Sequence, residues 1–249
     1  MDTCASAGRP GRRARSTLAG VLLAVAAVTY NDWLVQFLVP TGLDQRNSYV
    51  SEAFAADQPY RVLFSSVELA TALLVMAGAL LAAADAPRRW TAVGWGAVLA
   101  FGVFSVADVA WPMRCAPSRE VGCPTDNVWH TLTSGLVHFA LFASMAAFIH
   151  AARSASAPAG PAQRWARRLL PVSMAAAVSS AGPYIGRTGG QGIAQRIHLV
   201  TVAVWFWVLA AQLLRRPVDS HDVPGPHAVA EPVRAPQSVV QERTPPGLR

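Results

Sequence analysis

Six long apolar runs divide the chain and leave little choice of fold. Each run has about the length that an α-helix needs to cross a hydrocarbon core about 30 Å thick, roughly 20 residues. A helix also pairs its own backbone N–H and C=O groups, which lipid cannot do for an irregular segment. The runs are Thr17–Val39, Tyr60–Ala83, Trp90–Pro112, Val128–His150, Leu169–Gly186 and Ile197–Leu214. The sequence therefore predicts an all-α bundle of six transmembrane helices, as in a multi-pass protein of the cell membrane.

Charged residues are scarce and lie between the apolar runs. Only 14% of the 249 residues are charged and 53% are hydrophobic, whereas soluble domains carry about 25% charged residues. All 21 basic residues are arginines, and the net charge is +7. They form short groups beside the runs instead of one basic domain, which argues against a nucleic-acid partner. The expected partner is the lipid bilayer.

The arginines are divided unequally between the two ends of the predicted bundle. Cytoplasmic segments next to membrane helices are enriched in Lys and Arg. The arginine-rich segments are 1–16, 84–89, 151–168 and 215–249. Both termini are therefore predicted to be cytoplasmic.

The predicted domains are a basic N-terminus (1–16), a membrane domain (17–214) and a cytoplasmic tail (215–249). The tail is rich in proline and poor in large apolar residues, so we expect it to be disordered. The segment Arg153–Arg168 is small, basic and contains proline, and it is predicted to be a flexible linker between helices four and five. The first run also resembles a signal peptide, but its apolar character continues to Val39, so we expect it to be retained as an anchor.

Two cysteines lie in the loop between helices three and four. Cys115 and Cys123 share a segment that the arginine pattern places on the outer, oxidising side of the membrane, where disulfides persist. We predict a disulfide between them. Two free thiols are the alternative, because sequence does not show whether the geometry permits a bond.

Several segments resemble a family of bacterial multi-pass membrane proteins, domain of unknown function 998. The resemblance is carried by "NSYVSEAFA" in the first outer loop, "GVFSVADVAWP" at the end of helix three, His130 at the start of helix four and "GIAQRIHLVTVAVWFWVLAAQLL" at the end. It spans about Leu18 to Leu214. The cysteine-bearing loop is longer than in the family pattern. The resemblance implies a multi-pass membrane fold and brings no activity with it.

Six ionisable side chains within the spans lie in the half nearer the predicted outer face. At a rise of 1.5 Å per residue they fall into a shallow layer and a second layer on the order of 11 to 15 Å deep. The shallow layer is Asp108, His130 and His198, and the deeper layer is Asp32, Glu68 and His138. Such residues usually face a bundle interior or a water-filled cavity. We therefore predict an outward-facing polar cavity lined by Asp32, Glu68, Asp108, His130, Ser134, His138, Arg196 and His198.

Helix four carries three of these candidates as a polar stripe. His130, Ser134 and His138 are spaced by four residues and lie within about 80° of one another on the helix. The two histidines are about 12 Å apart along the axis, too far for both to bind one zinc ion. They are therefore predicted to belong to different layers.

Three functions remain open beside the possibility that these polar groups only hydrogen-bond between helices. The first is binding or transport of a small ligand, a proton or a lipid headgroup, in which a histidine between carboxylates suits proton coupling. The second is a zinc-dependent membrane hydrolase acting on a lipid or amide, with His130, His198 and Asp108 as metal ligands and Glu68 or Asp32 as base. The third is a structural or assembly protein.

Zinc is possible in this scheme but not favoured. In the alternative to the metal site, Asp108 pairs with Arg196 and the two histidines hydrogen-bond the backbone of the outer loops. Arg196 is also placed to contact a lipid phosphate. Binding or transport is the preferred function.

Overall fold

The computed structural model describes residues 9–86, 88–124, 127–153 and 160–215, and these residues form helices and loops without β-strands. The α-helices are α1 (Arg9–Thr29), α2 (Arg61–Ala83), α3 (Arg89–Ala110), α4 (Val128–Arg153), α5 (Pro161–Ser180) and α6 (Gln191–Leu214). Short 3₁₀ helices occupy Asp32–Phe37, Val50–Phe54 and Gly182–Ile185. The all-helical fold agrees with the prediction.

The six α-helices form a closed ring in chain order. Each helix packs mainly against its neighbours in the sequence, and α6 closes the ring against α1. The core between the helices consists of small and aromatic side chains. The rings of Phe101 and Phe206 contact edge to face, with centroids 5.2 Å apart. Those of Trp95 and Phe148 do the same at 5.5 Å.

The two ends of the bundle differ in what they carry. One end holds the start of α1 and the end of α6, where Ser16 Oγ donates a hydrogen bond to the carbonyl of Leu213 at 3.1 Å. We call it the terminal end. The opposite end holds the connections 30–60, 111–124 and 181–190, and we call it the loop end.

Five helical segments are long and apolar enough to cross a membrane. They are Gly11–Phe37, Arg61–Ala83, Arg89–Ala110, Val128–Arg153 and Gln191–Leu214. The remaining helix, α5, is not among them, although six spans were predicted. Its first eight residues include Arg164, Arg167 and Arg168, which lower its apolar character.

Helix α5 begins earlier than the sequence predicts. The predicted linker reached Arg168, but residues from Pro161 onwards are helical. Proline suits the first helical position, where its missing N–H has no intrahelical partner to lose. Ala162, Ala166 and Leu169 then form a buried stripe at helical spacing. Small alanines therefore pack this segment despite its arginines.

Helix α6 also begins earlier, at Gln191 instead of Ile197. Two glycines precede it with φ of +108° at Gly189 and +81° at Gly190, a region that residues with a Cβ rarely adopt. The backbone N–H of Gly190 donates to Asn47 Oδ1 at 2.9 Å. This turn fixes the start of α6 against the first loop.

Parts of several predictions lie outside the described residues. These parts are residues 1–8 of the N-terminus, 154–159 of the linker and 216–249 of the tail. The predicted disorder of the tail therefore stays a prediction.

Candidate functional site

The end of α1 places two cavity residues, Tyr30 and Asp32. The predicted first run continued as one helix to Val39, but α1 ends at Thr29 and the chain resumes as a 3₁₀ helix at Asp32. The side chain of Asn31 donates to the Ala27 carbonyl at 2.8 Å. Side chains that bond nearby backbone compete with regular helix, so the break brings Asp32 to the start of the new segment.

A cavity of about 80 Å³ lies between the helices near the loop end. Its polar lining comes from the first two 3₁₀ helices, from α2, α3, α4 and α6, and from Tyr30 directly after α1. The ionisable lining residues are Tyr30, Asp32, Glu68, Asp108, His130 and His138. Five of them were sequence candidates, and they include members of both predicted layers.

One oxygen of Asp32 has no partner. Asp32 Oδ2 is buried and makes no hydrogen bond, and the same holds for the hydroxyl of Ser105, which also lines the cavity. Buried polar atoms are nearly always paired in folded proteins. His130 Nδ1, also in the lining, is a third such atom, and the three unpaired groups indicate a place where a polar ligand or water completes the site.

Asp108 is held from α4. Its Oδ1 atom accepts hydrogen bonds from the hydroxyls of Ser134, at 2.9 Å, and Thr133. His130 Nδ1 lies 3.1 Å from the same oxygen, but the orientation does not make a hydrogen bond, and the nitrogen stays unpaired. Asp108 and His130, both predicted to lie in the shallow layer, are therefore adjacent in the structure.

His138 offers an acceptor to the cavity. Its Nδ1 atom lies 2.6 Å from the carbonyl oxygen of Ser134. A carbonyl only accepts, so Nδ1 carries the proton in the neutral ring and Nε2 is left with a free lone pair. The ring also lines the cavity.

His198 lies behind His138 and not in the shallow layer. The side chain is 1% exposed, its ring stacks on that of His138, and its Nδ1 is 2.9 Å from the Ser173 hydroxyl. Because α6 begins at Gln191, His198 is on the order of 10 Å into the helix, deeper than predicted.

Arg196 does not pair with Asp108. Its guanidinium donates to the carbonyls of Gln45, at 2.8 Å, and Ser48, at 3.1 Å, and to the side chains of Gln36, at 2.8 Å, and Gln45. The side chain is 7% exposed. Arg196 therefore holds the first loop onto α6, and it does not line the cavity.

The predicted zinc ligands are not assembled. His130 and Asp108 adjoin, but His198 is turned to Ser173 and lies behind His138. Among the residues that the structure describes, no group of three or more His, Cys, Asp or Glu side chains is placed to hold a metal ion. The donor set of this site therefore does not fit zinc.

A family model described as a protein of unknown function, DUF998, matches residues 17–212, well over half of the chain. The chain belongs to the DUF998 family. This finding confirms the resemblance noted from the sequence. No curated protein and no solved structure matches the chain.

A loop segment covers the cavity of this DUF998 protein. Val50, Ser51 and Phe54 of the second 3₁₀ helix belong to the lining. Glu52, in the same helix, is 1% exposed and accepts hydrogen bonds from the backbone N–H groups of Tyr49, at 2.8 Å, and Ser118, at 3.0 Å. This helix is therefore fastened to the loop after α3.

That loop contains a disulfide. Cys115 and Cys123 are bonded, with their Cα atoms 5.9 Å apart. In the segment between the two cysteines, Ser118 donates hydrogen bonds to the Glu52 carboxylate. The Glu120 carboxylate in the same segment accepts a hydrogen bond from the Gln58 amide at 2.8 Å. The disulfide closes the segment that supports the cavity cover of the DUF998 protein.

Sequence reasoning missed several residues of the site, among them Tyr30, Glu52 and Ser105. Glu52 lies in the quoted segment "NSYVSEAFA", three residues after Tyr49, a spacing at which a Glu side chain reaches back to the preceding backbone. That spacing was the available signal. Tyr30 and Ser105 gave none, because a tyrosine or serine in an apolar run is common.

Burial also changes the chemistry of Tyr49 in this loop. Its hydroxyl donates to the Ser180 carbonyl at 2.6 Å. Removal from water, followed by the nearby Tyr184 and Glu52, raises the pKa of the Tyr49 phenol well above its ordinary value. Tyr49 therefore stays neutral and joins the first loop to the end of α5.

Proposed function

We propose that the cavity binds a small ligand with a positively charged, hydrogen-bond-donating group, and that the protein serves as a binding or transport module for it. The observation that carries this proposal is the unpaired, buried Oδ2 of Asp32 in a cavity that Glu68 and Asp108 also line. The loop end, where the cavity lies, is the side from which the ligand would enter.

The charge of the cavity supports a cation. Asp32, Glu68 and Asp108 come from three different elements and line one space. Carboxylates within membrane helices are costly unless they are paired. Arg196 is occupied by the first loop, so it does not neutralise them. A bound cation would stabilise the ionised form of these carboxylates.

The hydrogen-bonding character of the cavity supports an ammonium group. Carboxylates accept hydrogen bonds and, when ionised, do not donate. In its neutral form the His138 ring presents Nε2 as an acceptor, because Nδ1 donates to the Ser134 carbonyl. An ammonium group offers several donors to such acceptors, which makes a small primary amine a suitable first probe.

The test is a titration of purified protein with ethanolamine, followed by calorimetry and by the apparent unfolding temperature. Ethylene glycol, which is similar in size and uncharged, is the ligand control. We expect saturable binding of ethanolamine and none of ethylene glycol. Asp32→Asn should weaken binding about tenfold or more, because a hydrogen bond to a charged group contributes about 1.5 to 3 kcal/mol.

Asp44→Asn is the matched control variant. Asp44 is exposed in the first loop, and a hydrogen bond from the backbone N–H of Arg46 lowers its pKa, so it is a charged carboxylate outside the cavity. Its loss should leave the affinity unchanged. Equal weakening by both variants, or no saturable binding, would reject the proposal. Uptake of labelled ethanolamine into proteoliposomes would separate transport from binding alone.

A further inference from the structure

An apolar groove lies on the outer surface of α6. Helix α6 contributes Ile193, Ile197 and Val200, which are 43 to 48% exposed. Helix α5 adds Val172 and the first 3₁₀ helix adds Phe37, and both side chains are more than half exposed. None of these five residues lines the cavity. The groove, which we call the α6 groove, is therefore a separate site on the surface that the bundle presents to lipid.

The α6 groove begins at the loop end of the bundle. Gln45 and Arg46 of the first loop line it, and we call this end the mouth. Ile193 lies in the first turn of α6, which begins at Gln191. From Ile193 to Val200 the groove follows α6 for seven residues, on the order of 10 Å. The α6 groove therefore joins a polar mouth to an apolar floor that runs towards the middle of the bundle.

Two N–H groups of the α6 groove lack a hydrogen-bond partner among the described residues. Arg196 Nε and Trp33 Nε1 are buried and unpaired, and both residues line the groove. Arg196 is at the mouth, because its guanidinium donates to the Gln45 carbonyl, and its guanidinium carbon lies 5.8 Å from the Trp33 ring centroid. Buried donors are nearly always paired in folded proteins. These two therefore indicate that an acceptor completes the mouth.

The charge at the mouth favours an anionic acceptor. Arg46 is exposed, and Arg196 lies beneath the same loop. Asp44 is close to both arginines, but its two oxygens already accept hydrogen bonds from the Arg46 backbone N–H, at 3.0 Å, and from the Asn47 amide. Glu52 is held in the same way by Ser118. The mouth therefore presents donors and positive charge.

We propose that the α6 groove binds an anionic phospholipid in the leaflet at the loop end, with the phosphate at the mouth and an acyl chain along α6. Arg46 contacts the phosphate, because guanidinium groups match phosphate oxygens in charge and geometry. The N–H groups of Arg196 and Trp33 are the further donors of this site. Tryptophans are common at this level of a membrane protein, where the ring is apolar and its N–H is polar.

The test is native mass spectrometry of the full-length protein in detergent, titrated with dioleoyl phosphatidylglycerol. We expect discrete, saturable binding. Dioleoyl phosphatidylethanolamine should bind about fivefold more weakly or less, because its ammonium group cancels the charge that attracts the lipid. Glycerol 3-phosphate, which has the phosphate without acyl chains, should not bind at the same concentrations. Equal binding of either compound would overturn the proposed ligand.

Two variants test the mouth by different means. Arg46→Gln removes an exposed charge and should raise the dissociation constant for phosphatidylglycerol about fivefold. Trp33→Phe keeps the charge and an aromatic ring but removes the indole N–H, and it should raise the dissociation constant by a similar factor. A diffuse charge effect would not weaken binding in Trp33→Phe. Unchanged binding in both variants would overturn the site.

The matched control is Arg114→Gln. Arg114 is an exposed arginine of the loop end that follows α3, which lies across the ring from α6. Its loss should change the dissociation constant less than about twofold. Weakening equal to that of Arg46→Gln would show a diffuse charge effect and overturn the site. A dimer that both mouth variants dissociate, with no discrete binding of phosphatidylglycerol, would place a second copy in the groove and overturn the lipid.

Discussion

The imidazole rings of His138 and His198 stack, with centroids 4.3 Å apart and planes inclined by 12°. His138 lines the cavity, whereas His198 is sealed behind it and hydrogen-bonded to Ser173. Phe142 closes the edge of the His198 ring at 5.8 Å. The second ring is therefore the back wall of the site, and it acts on a ligand only through the first.

Replacing the back wall should weaken both the fold and the site. His198→Ala removes a fully buried ring, and we expect a loss of about 2 to 4 kcal/mol in the free energy of unfolding, as for other large buried side chains replaced by alanine. Ser173→Ala removes one hydrogen-bonding group and should cost about 1 kcal/mol. Thermal unfolding in detergent measures both losses. Equal stability of the two variants would contradict the role of the ring.

Composition and periodicity were enough to predict the all-helical class and to single out Glu68, Asp108, His130 and His138, which line the cavity. The depth of His198 could not be predicted, because apolar patterning starts α6 at Ile197. The helix gains its first turns from Gly189, Gly190 and their contact with Asn47. That contact joins segments far apart in sequence, which periodicity does not reveal.

Helix α5 shows a second limit of sequence patterning. Three arginines and a proline led to the prediction of a linker, but Ala162, Ala166 and Leu169 bury one narrow stripe. Tertiary packing of an amphipathic face decides whether a helix forms more than its mean polarity does. The end of α1 at Thr29 was not predicted for a similar reason. It depends on the hydrogen bond from the Asn31 side chain to the Ala27 carbonyl, which apolar patterning does not show.

The arginine asymmetry predicts that the terminal end faces the cytoplasm. A green fluorescent protein fused after Leu214 should therefore fluoresce, whereas alkaline phosphatase fused there should be inactive, because it needs an oxidising compartment for its disulfides. The reciprocal fusion inserted between Val121 and Gly122, in an exposed turn of the loop end, should give active phosphatase. The reverse pattern at both sites would contradict the predicted orientation.

Opening the disulfide should loosen the cavity cover. The closed loop spans a sequence separation of eight, for which chain entropy gives about 2 to 3 kcal/mol of stabilisation. We expect Cys115→Ser/Cys123→Ser to lower the apparent unfolding temperature and to weaken ethanolamine binding, because Ser118 then holds Glu52 less firmly.

Reductant provides the control for the disulfide. Reductant should lower the apparent unfolding temperature of the wild-type protein to that of the double variant. The unfolding temperature of the variant should not change. A wild-type protein that responds to reductant no more than the variant does would contradict a structural role for this bond.

Two glycines provide an internally controlled test of how the first loop packs on α6. A Cβ on Gly192 would meet the carbonyl oxygens of Ser48, of Gln45 at 2.7 Å and of Arg46 at 2.9 Å. These are backbone atoms, so the loop itself would have to move. Gly192→Ala should therefore cost about 1 to 3 kcal/mol through overpacking, and it should disturb the contacts of Arg196 with the same carbonyls.

Gly135→Ala is the matched substitution. Gly135 lies within α4, and a Cβ there would meet no atom within 4 Å. Alanine is favoured over glycine in helices by about 1 kcal/mol, so this variant should be as stable as wild type or more stable. Apparent unfolding temperatures of the two variants, measured side by side, should move in opposite directions. A Gly192→Ala protein at least as stable as Gly135→Ala would mean that the first loop does not pack on α6 as described.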